Sequence, residues 1–172
     1  MMCRVGAQEN DFLRQVVDRT GSEVMQVIAE AVLKTVKAMF GQGMYAVQGR
    51  TGQDVPPCYA ASVVLVQGPS FFRLRLAFDG PLLKTLIAAI YPLEAANSDD
   101  ALRDAAAEIS NIVAGHVKTF VNQKGFNVSR GLPIVENAAA SAEAATGCGS
   151  LNFSIFRRND LSVRNLLNVS LQ

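Results

Sequence analysis

The residues best suited to chemistry lie in Asp104-Ala-Ala-Ala-Glu108-Ile-Ser-Asn111-Ile-Val-Ala-Gly115-His116. Apolar spacing around them predicts a long helix from about Ser98 to Lys124. On that helix Asp104, Glu108, Asn111 and Gly115 fall three or four residues apart, so they share one strip of surface. The strip combines carboxylates that can pair with a cation, an amide that can both donate to and accept from a water, and a gap with no side chain. Asn in a helix interior costs roughly half a kcal/mol relative to Ala, and Gly nearer ~1 kcal/mol. Two such penalties aligned with a carboxylate mark a strip shaped by something other than helix stability. Such a strip suits insertion into a partner's pocket.

Other chemistries find less support. His116 falls beside Ile109 and Ile112 by helical angle, and is read as a core residue with a hydrogen-bond partner rather than a catalytic base. Thr146-Gly-Cys148-Gly-Ser150 looks like a phosphate-cradling loop, but a cysteine phosphatase needs an Arg six residues after the Cys, and Ser154 stands there. Cys3, Cys58 and Cys148 are scattered and form no C-x-x-C pair, which argues against a disulfide framework or a zinc site. Asp99, Asp100 and Asp104 read as partners of the positive helix end, not as metal ligands. Arg73, Arg75, Arg157 and Arg158 read as solvated strand and turn positions.

The composition sets the frame for that helix. At 172 residues, 49% hydrophobic and 18% charged, the chain is expected to be one globular domain over 1–172 with a sizeable core. A net charge of +1 with no basic cluster excludes an evident nucleic-acid surface. No apolar run reaches the roughly 20 residues that span a bilayer, and Met1 to Asn10 lacks the apolar segment of a signal peptide. A cytoplasmic protein is expected.

The positioning elements follow from periodicity. Asp11 to Phe40 reads as one long helix, or two broken near Gly21, ended by Gly41-Gln-Gly43. Met44 to Gln48 reads as a short strand and Gly49 to Pro57 as a loop. Tyr59 to Val66 and Phe71 to Phe78 read as paired strands, the second with Phe72, Leu74, Leu76 and Phe78 on one face. Pro81 opens a short helix whose buried face is Leu82, Leu83, Leu86, Ile87 and Ile90. In the long helix, Asn97 or Ser98 is the cap, and Leu102, Ala105, Ile109, Ile112, Val113 and Phe120 form the apolar stripe. Val128 to Val135 reads as a strand, Glu136 to Ser150 as a loop of small residues, and Leu151 to Phe156 and Val163 to Leu171 as closing strands. The last has ladder capacity to pair with a second copy, so a homodimer is expected.

This order describes an α+β fold: two pseudo-repeated helix–three-strand units forming one mostly antiparallel sheet, with long helices on one face. The two halves echo each other in sequence. Ser22-Glu23-Val-Met-Gln26-Val-Ile-Ala29 aligns with Ala107-Glu108-Ile-Ser-Asn111-Ile-Val-Ala114, and Glu30 takes the place of Gly115. A Glu there would obstruct approach, so the echo reads as a remnant rather than a second site.

The segment Ala107-Glu108-Ile-Ser-Asn111-Ile-Val-Ala-Gly115 resembles the signature of the CheC/CheX/FliY phosphatase family, CheX in particular: E-x-x-N on a helix, then a glycine four residues on. Val128-Ser-Arg-Gly-Leu-Pro133-Ile-Val135 resembles the family's following strand. The likeness spans about 11–171. It implies that the partner is a phosphorylated CheY-type response regulator, and that the activity is hydrolysis of its phosphoaspartate. Asn111 would then orient the attacking water, Glu108 would pair with the regulator's lysine, and Gly115 would give clearance, with Asp104 extending the partner-facing strip. No cofactor belongs to this chain; the Mg²⁺ is expected on the regulator. His116 departs from the family pattern, which often has Asn there. A non-catalytic module that binds a regulator or a flagellar-switch partner is the alternative.

Overall fold

The computed structural model describes residues 7–41, 44–48, 58–92, 97–137, 149–157 and 160–172. The expected loops at 49–57 and 138–148, Arg158, and the Thr146–Cys148 segment lie outside these residues.

The first helical stretch is two helices, α1 (Ala7–Thr20) and α2 (Glu23–Phe40). Gly21 stands between them at φ +57°, a left-handed conformation that side chains disfavour. Then come β1 (Met44–Gln48), β2 (Tyr59–Gln67), β3 (Ser70–Phe78), α3 (Gly80–Ile90) and the long α4 (Asp99–Gln123). The chain closes with β4 (Ser129–Arg130), β5 (Ile134–Asn137), β6 (Gly149–Arg157) and β7 (Asp160–Leu171). The expected single strand over 128–135 is split, because Pro133 cannot donate to the ladder; β4 and β5 both pair with β2.

The sheet order is β1-β6-β7-β3-β2-β4, with β5 also on β2, and every pairing is antiparallel. This order is palindromic. Each half contributes a hairpin, β2–β3 and β6–β7, and the hairpins meet at β3–β7. The opening strand of each half crosses to the other half's hairpin: β1 pairs with β6, and β4–β5 pair with β2. Strand β7 is thus paired on both sides over residues 167–171, with β3 and β6. The expected pairing edge on β7 is corrected over residues 167–171, where β3 and β6 take both sides; the end strands of the described sheet are β1 and β4–β5.

One face of the sheet carries the core. Ala61, Val63, Leu65, Phe72, Leu74, Leu76, Phe78, Phe153, Ile155, Leu167, Val169 and Leu171 join one cluster with the buried faces of all four helices. Phe72, Leu74, Leu76 and Phe78 are fully buried, as the strand alternation requires, each contributing ~1.5–3 kcal/mol relative to exposure. On the other face the middle of the sheet is small or polar, with Ala60, Ser62, Arg75, Ala77, Asn168 and Ser170 at paired positions. Burial pulls the Arg75 guanidinium below its usual range there, opposed by the nearby Glu136 carboxylate.

Helix α3 begins one residue earlier than Pro81. Its cap is the buried Asp79, whose Oδ1 accepts from Leu82 N–H at 2.6 Å. Leu82, Leu83, Leu86 and Ile87 are buried as expected, but Ile90 is 46% exposed, because it lies in the last turn beyond the sheet-facing surface. Among the described residues no helix is long and apolar enough to cross a membrane.

Candidate functional site

Helix α4 is held at both ends. Ser98 caps its start, its hydroxyl accepting from Ala101 N–H. Beyond the cap, Tyr59 on β2 donates its hydroxyl to Asp99, and Arg103 Nε donates to the other Asp99 oxygen at 2.8 Å. Arg103 also lies over the Tyr59 ring, 5.4 Å from its centroid. The bond to Asp99, followed by burial, pushes the Tyr59 hydroxyl up to about 12. Conversely, the Tyr59 and Arg103 bonds hold the Asp99 carboxyl below its ordinary value. At the other end, the Asn122 carboxamide brackets Val128: Oδ1 accepts from Val128 N–H at 2.7 Å and Nδ2 donates to Val128 C=O at 3.1 Å.

Between these anchors the buried residues are Leu102, Ala106, Ile109, Ser110, Val113, Ala114, Val117 and Val121. On an ideal helix this arc is rotated by roughly 70° from the stripe expected from the large apolar residues. Ala106, Ser110 and Ala114 turn inward because small residues let the helix settle close to β2 and β3. The rotation explains where His116 lands. It is exposed, in a shallow pocket of about 210 Å³ shared with Glu30, Lys34, Thr119 and Phe120. The expectation of a core His116 is therefore corrected.

The Asp104–Glu108–Asn111–Gly115 strip lies roughly opposite the centre of the buried arc. Asp104 and Glu108 are exposed, while Asn111 and Gly115 are half-buried. Among the described residues neither carboxylate has an ion-pair partner, and the Asn111 carboxamide has no hydrogen-bond partner. The structure thus brings a free amide and two free carboxylates onto one accessible edge. Beside them runs a groove of about 660 Å³, mostly apolar, walled by the ends of α2 (Met39, Phe40) and α3 (Ile87, Ile90) with Tyr91 and Pro133. Asp104, Glu108 and Asn111 form one side of it. Sequence reasoning missed this groove; the exposed Ile90 and the 60%-exposed Tyr91 are its signal.

Gly115 differs from expectation. The gap above it is not open: Arg130 Nη1 lies 2.9 Å from where a methyl group on residue 115 would be, and donates to the Asn111 carbonyl at 2.6 Å. Nothing in the sequence marks Arg130 for this place, because its strand and the helix meet only in the fold. The echo site is different again. Glu23 is taken up by Lys124, Nζ to Oε2 at 2.5 Å, so it is not free as Glu108 is. Among the described residues no three His, Cys, Asp or Glu side chains gather into a metal-sized cluster.

No family model matches the chain, and no curated protein matches it by sequence. Solved structures do. Chemotaxis protein CheX from Vibrio vulnificus superposes with a TM-score of 0.65 at 15% identity, over 87% of this chain and 97% of that one. A chemotactic CheC-like protein from Shewanella oneidensis MR-1 gives 0.62 at 14%, over 88% and 99%. CheX in the CheX–CheY–BeF3–Mg²⁺ complex from Borrelia burgdorferi gives 0.58 at 16%, over 86% and 97%. The shared element order covers both halves of the chain, and at these identities it speaks for architecture: the chain has the fold of the CheX and CheC-like proteins.

Proposed function

We propose that this chain is a member of the CheC/CheX/FliY family and a phosphatase for the phosphoaspartate of a CheY-type response regulator. The observation that carries the reading is the joint placement of Glu108 and Asn111. Both stand on the outward edge of a rigidly anchored helix, one turn apart and without partners among the described residues, in a fold shared with a CheX that forms a complex with CheY. The carboxylate of Glu108 pairs with a lysine of the regulator and sets the register of insertion. The Asn111 carboxamide, able to donate and accept at once, holds a water in line with the phosphorus. The water oxygen bonds to phosphorus as the phosphorus–oxygen bond to the aspartyl carboxylate breaks. The electron pair returns to that carboxylate, a proton is released, and orthophosphate leaves. Asp104 and the apolar groove extend the docking surface, and the Mg²⁺ is the regulator's own. On this reading the chain works in the cytoplasm, where the regulator is phosphorylated.

Decay of a phosphorylated CheY-type regulator, followed with and without this chain, tests the reading. Acceleration by the wild type should fall on the order of 10²-fold or more in Asn111→Ala, with the far-ultraviolet circular dichroism unchanged. Full acceleration by Asn111→Ala would rule out the mechanism.

The covered gap at Gly115 favours a second reading, a module that binds the regulator without hydrolysing its phosphate. There the partner's backbone meets the Arg130 guanidinium rather than a bare helix. Tight binding with no faster phosphate release would identify it.

A further inference from the structure

Resting on the phosphoaspartate reading, we propose that Arg130 is a phosphoryl-contacting residue: a guanidinium seated in the Gly115 gap to receive the oxygens of the group that Asn111 addresses.

The seat is built from three directions. Strand β4 places Arg130 opposite Leu65 of β2, and Gly131 N–H donates to Val64 C=O at 2.9 Å immediately after it. Upstream, the Asn122 carboxamide clamps Val128, and Gln67 Oε1 accepts from Asn127 N–H at 2.6 Å. From this fixed backbone the side chain reaches α4, where Nη1 meets the Asn111 carbonyl at 2.6 Å. A first side-chain carbon on residue 115 would stand 2.9 Å from Nη1, so any larger residue there shifts the guanidinium from this position.

The electrostatics give the cation a role. Arg130 is exposed, and among the described residues no carboxylate pairs with it. Asp104 and Glu108 on the same strip would repel an incoming phosphoryl dianion. Arg130 holds its positive charge at the backbone carbonyl of Asn111. Guanidinium offers five donors in a planar fork that matches phosphate oxygens, and one of them suffices for the Asn111 carbonyl. In the hydrolysis written above, Arg130 makes and breaks no covalent bond. It stabilises charge on the phosphoryl oxygens as the water attacks and the aspartyl oxygen departs.

The test uses the full chain and a CheY-type receiver domain with Mg²⁺, with and without beryllium fluoride as the phosphoryl mimic. Affinity is measured for both forms alongside phosphate decay. Wild type should prefer the fluoroberyllate form. In Arg130→Gln that preference should shrink by about 10-fold or more, while affinity for the unloaded receiver and the circular dichroism stay the same. Arg130→Lys should keep part of the preference, since it retains the charge but not the fork. Should Arg130→Gln fail to fold, Arg130→Met, which keeps the aliphatic stem without the charge, should show the same loss. An unchanged preference, or equal weakening toward both receiver forms, would overturn the role of Arg130 and leave the phosphatase reading standing. A wild-type chain that binds neither form, or does not hasten decay, would remove that reading and with it the inference.

Discussion

The tip of the Arg130 guanidinium lies 2.9 Å from the place of a first side-chain carbon at position 115, while bonded to the Asn111 carbonyl one turn earlier. The coupling of a β4 side chain to a helical glycine has a thermodynamic consequence. Gly→Ala in a helix interior normally stabilises by ~1 kcal/mol. Here Gly115→Ala must first move the tip of the Arg130 side chain off its place beside the Asn111 carbonyl, so the single substitution should gain less than that. In an Arg130→Ala background the same change should recover its ~1 kcal/mol. Urea titration of the four variants closes the cycle, and additive effects would show that the two residues are uncoupled.

Tyr59 should make stability sensitive to alkali. Its hydroxyl is raised from 10.0 to about 12 in the folded chain, chiefly by its bond to Asp99. The folded state therefore holds the proton more tightly than the unfolded one. The contribution is fully present below the unfolded value and is lost as pH rises from 10.0 through about 12. Urea midpoints from about pH 9 to about pH 11 should fall more steeply for wild type than for Tyr59→Phe. Parallel slopes would count against the bond.

Asp79 should carry the start of α3. Its buried carboxylate accepts the Leu82 N–H, a donor with no partner inside the helix. Asp79→Ala should cost about 1–2 kcal/mol, and Asp79→Asn considerably less because it retains an acceptor. Thermal and urea denaturation of both variants check this; equal losses would mean that charge rather than capping matters.

Ser110 should be dispensable for the fold. Its hydroxyl is fully buried on the sheet-facing side of α4, without a hydrogen-bond partner among the described residues. Removing an unsatisfied buried hydroxyl is neutral or favourable, so Ser110→Ala should leave stability unchanged or raise it by about 1 kcal/mol. Since Ser110 faces away from the strip, phosphate decay should be unaffected. A marked loss of stability in urea would reveal a partner for the hydroxyl.

Much of this protein was determined locally, and local features are what sequence reasoning reads well. The alternation from Phe72 to Phe78, the break at Gly21, the Ser98 cap and the line of Asp104, Glu108 and Asn111 each depend on spacing within a few residues. The placement of the strip on an exposed edge followed as well, because the carboxylates resist burial whatever the helix packs against.

Tertiary structure decided the rest. Helix rotation was set by Ala106, Ser110 and Ala114, whose smallness lets α4 approach the sheet, and this put His116 outside. Hydrophobicity alone weights large residues and could not register closeness of approach. The reciprocal exchange of β1 and β4–β5 between the halves made β7 a central strand, since strand neighbours are chosen by long-range pairing rather than by local pattern. Above all, Gly115 read from sequence as an opening. Only the fold, which lays Arg130 against it from a strand beyond the end of the helix, turned that opening into a seat for a charge.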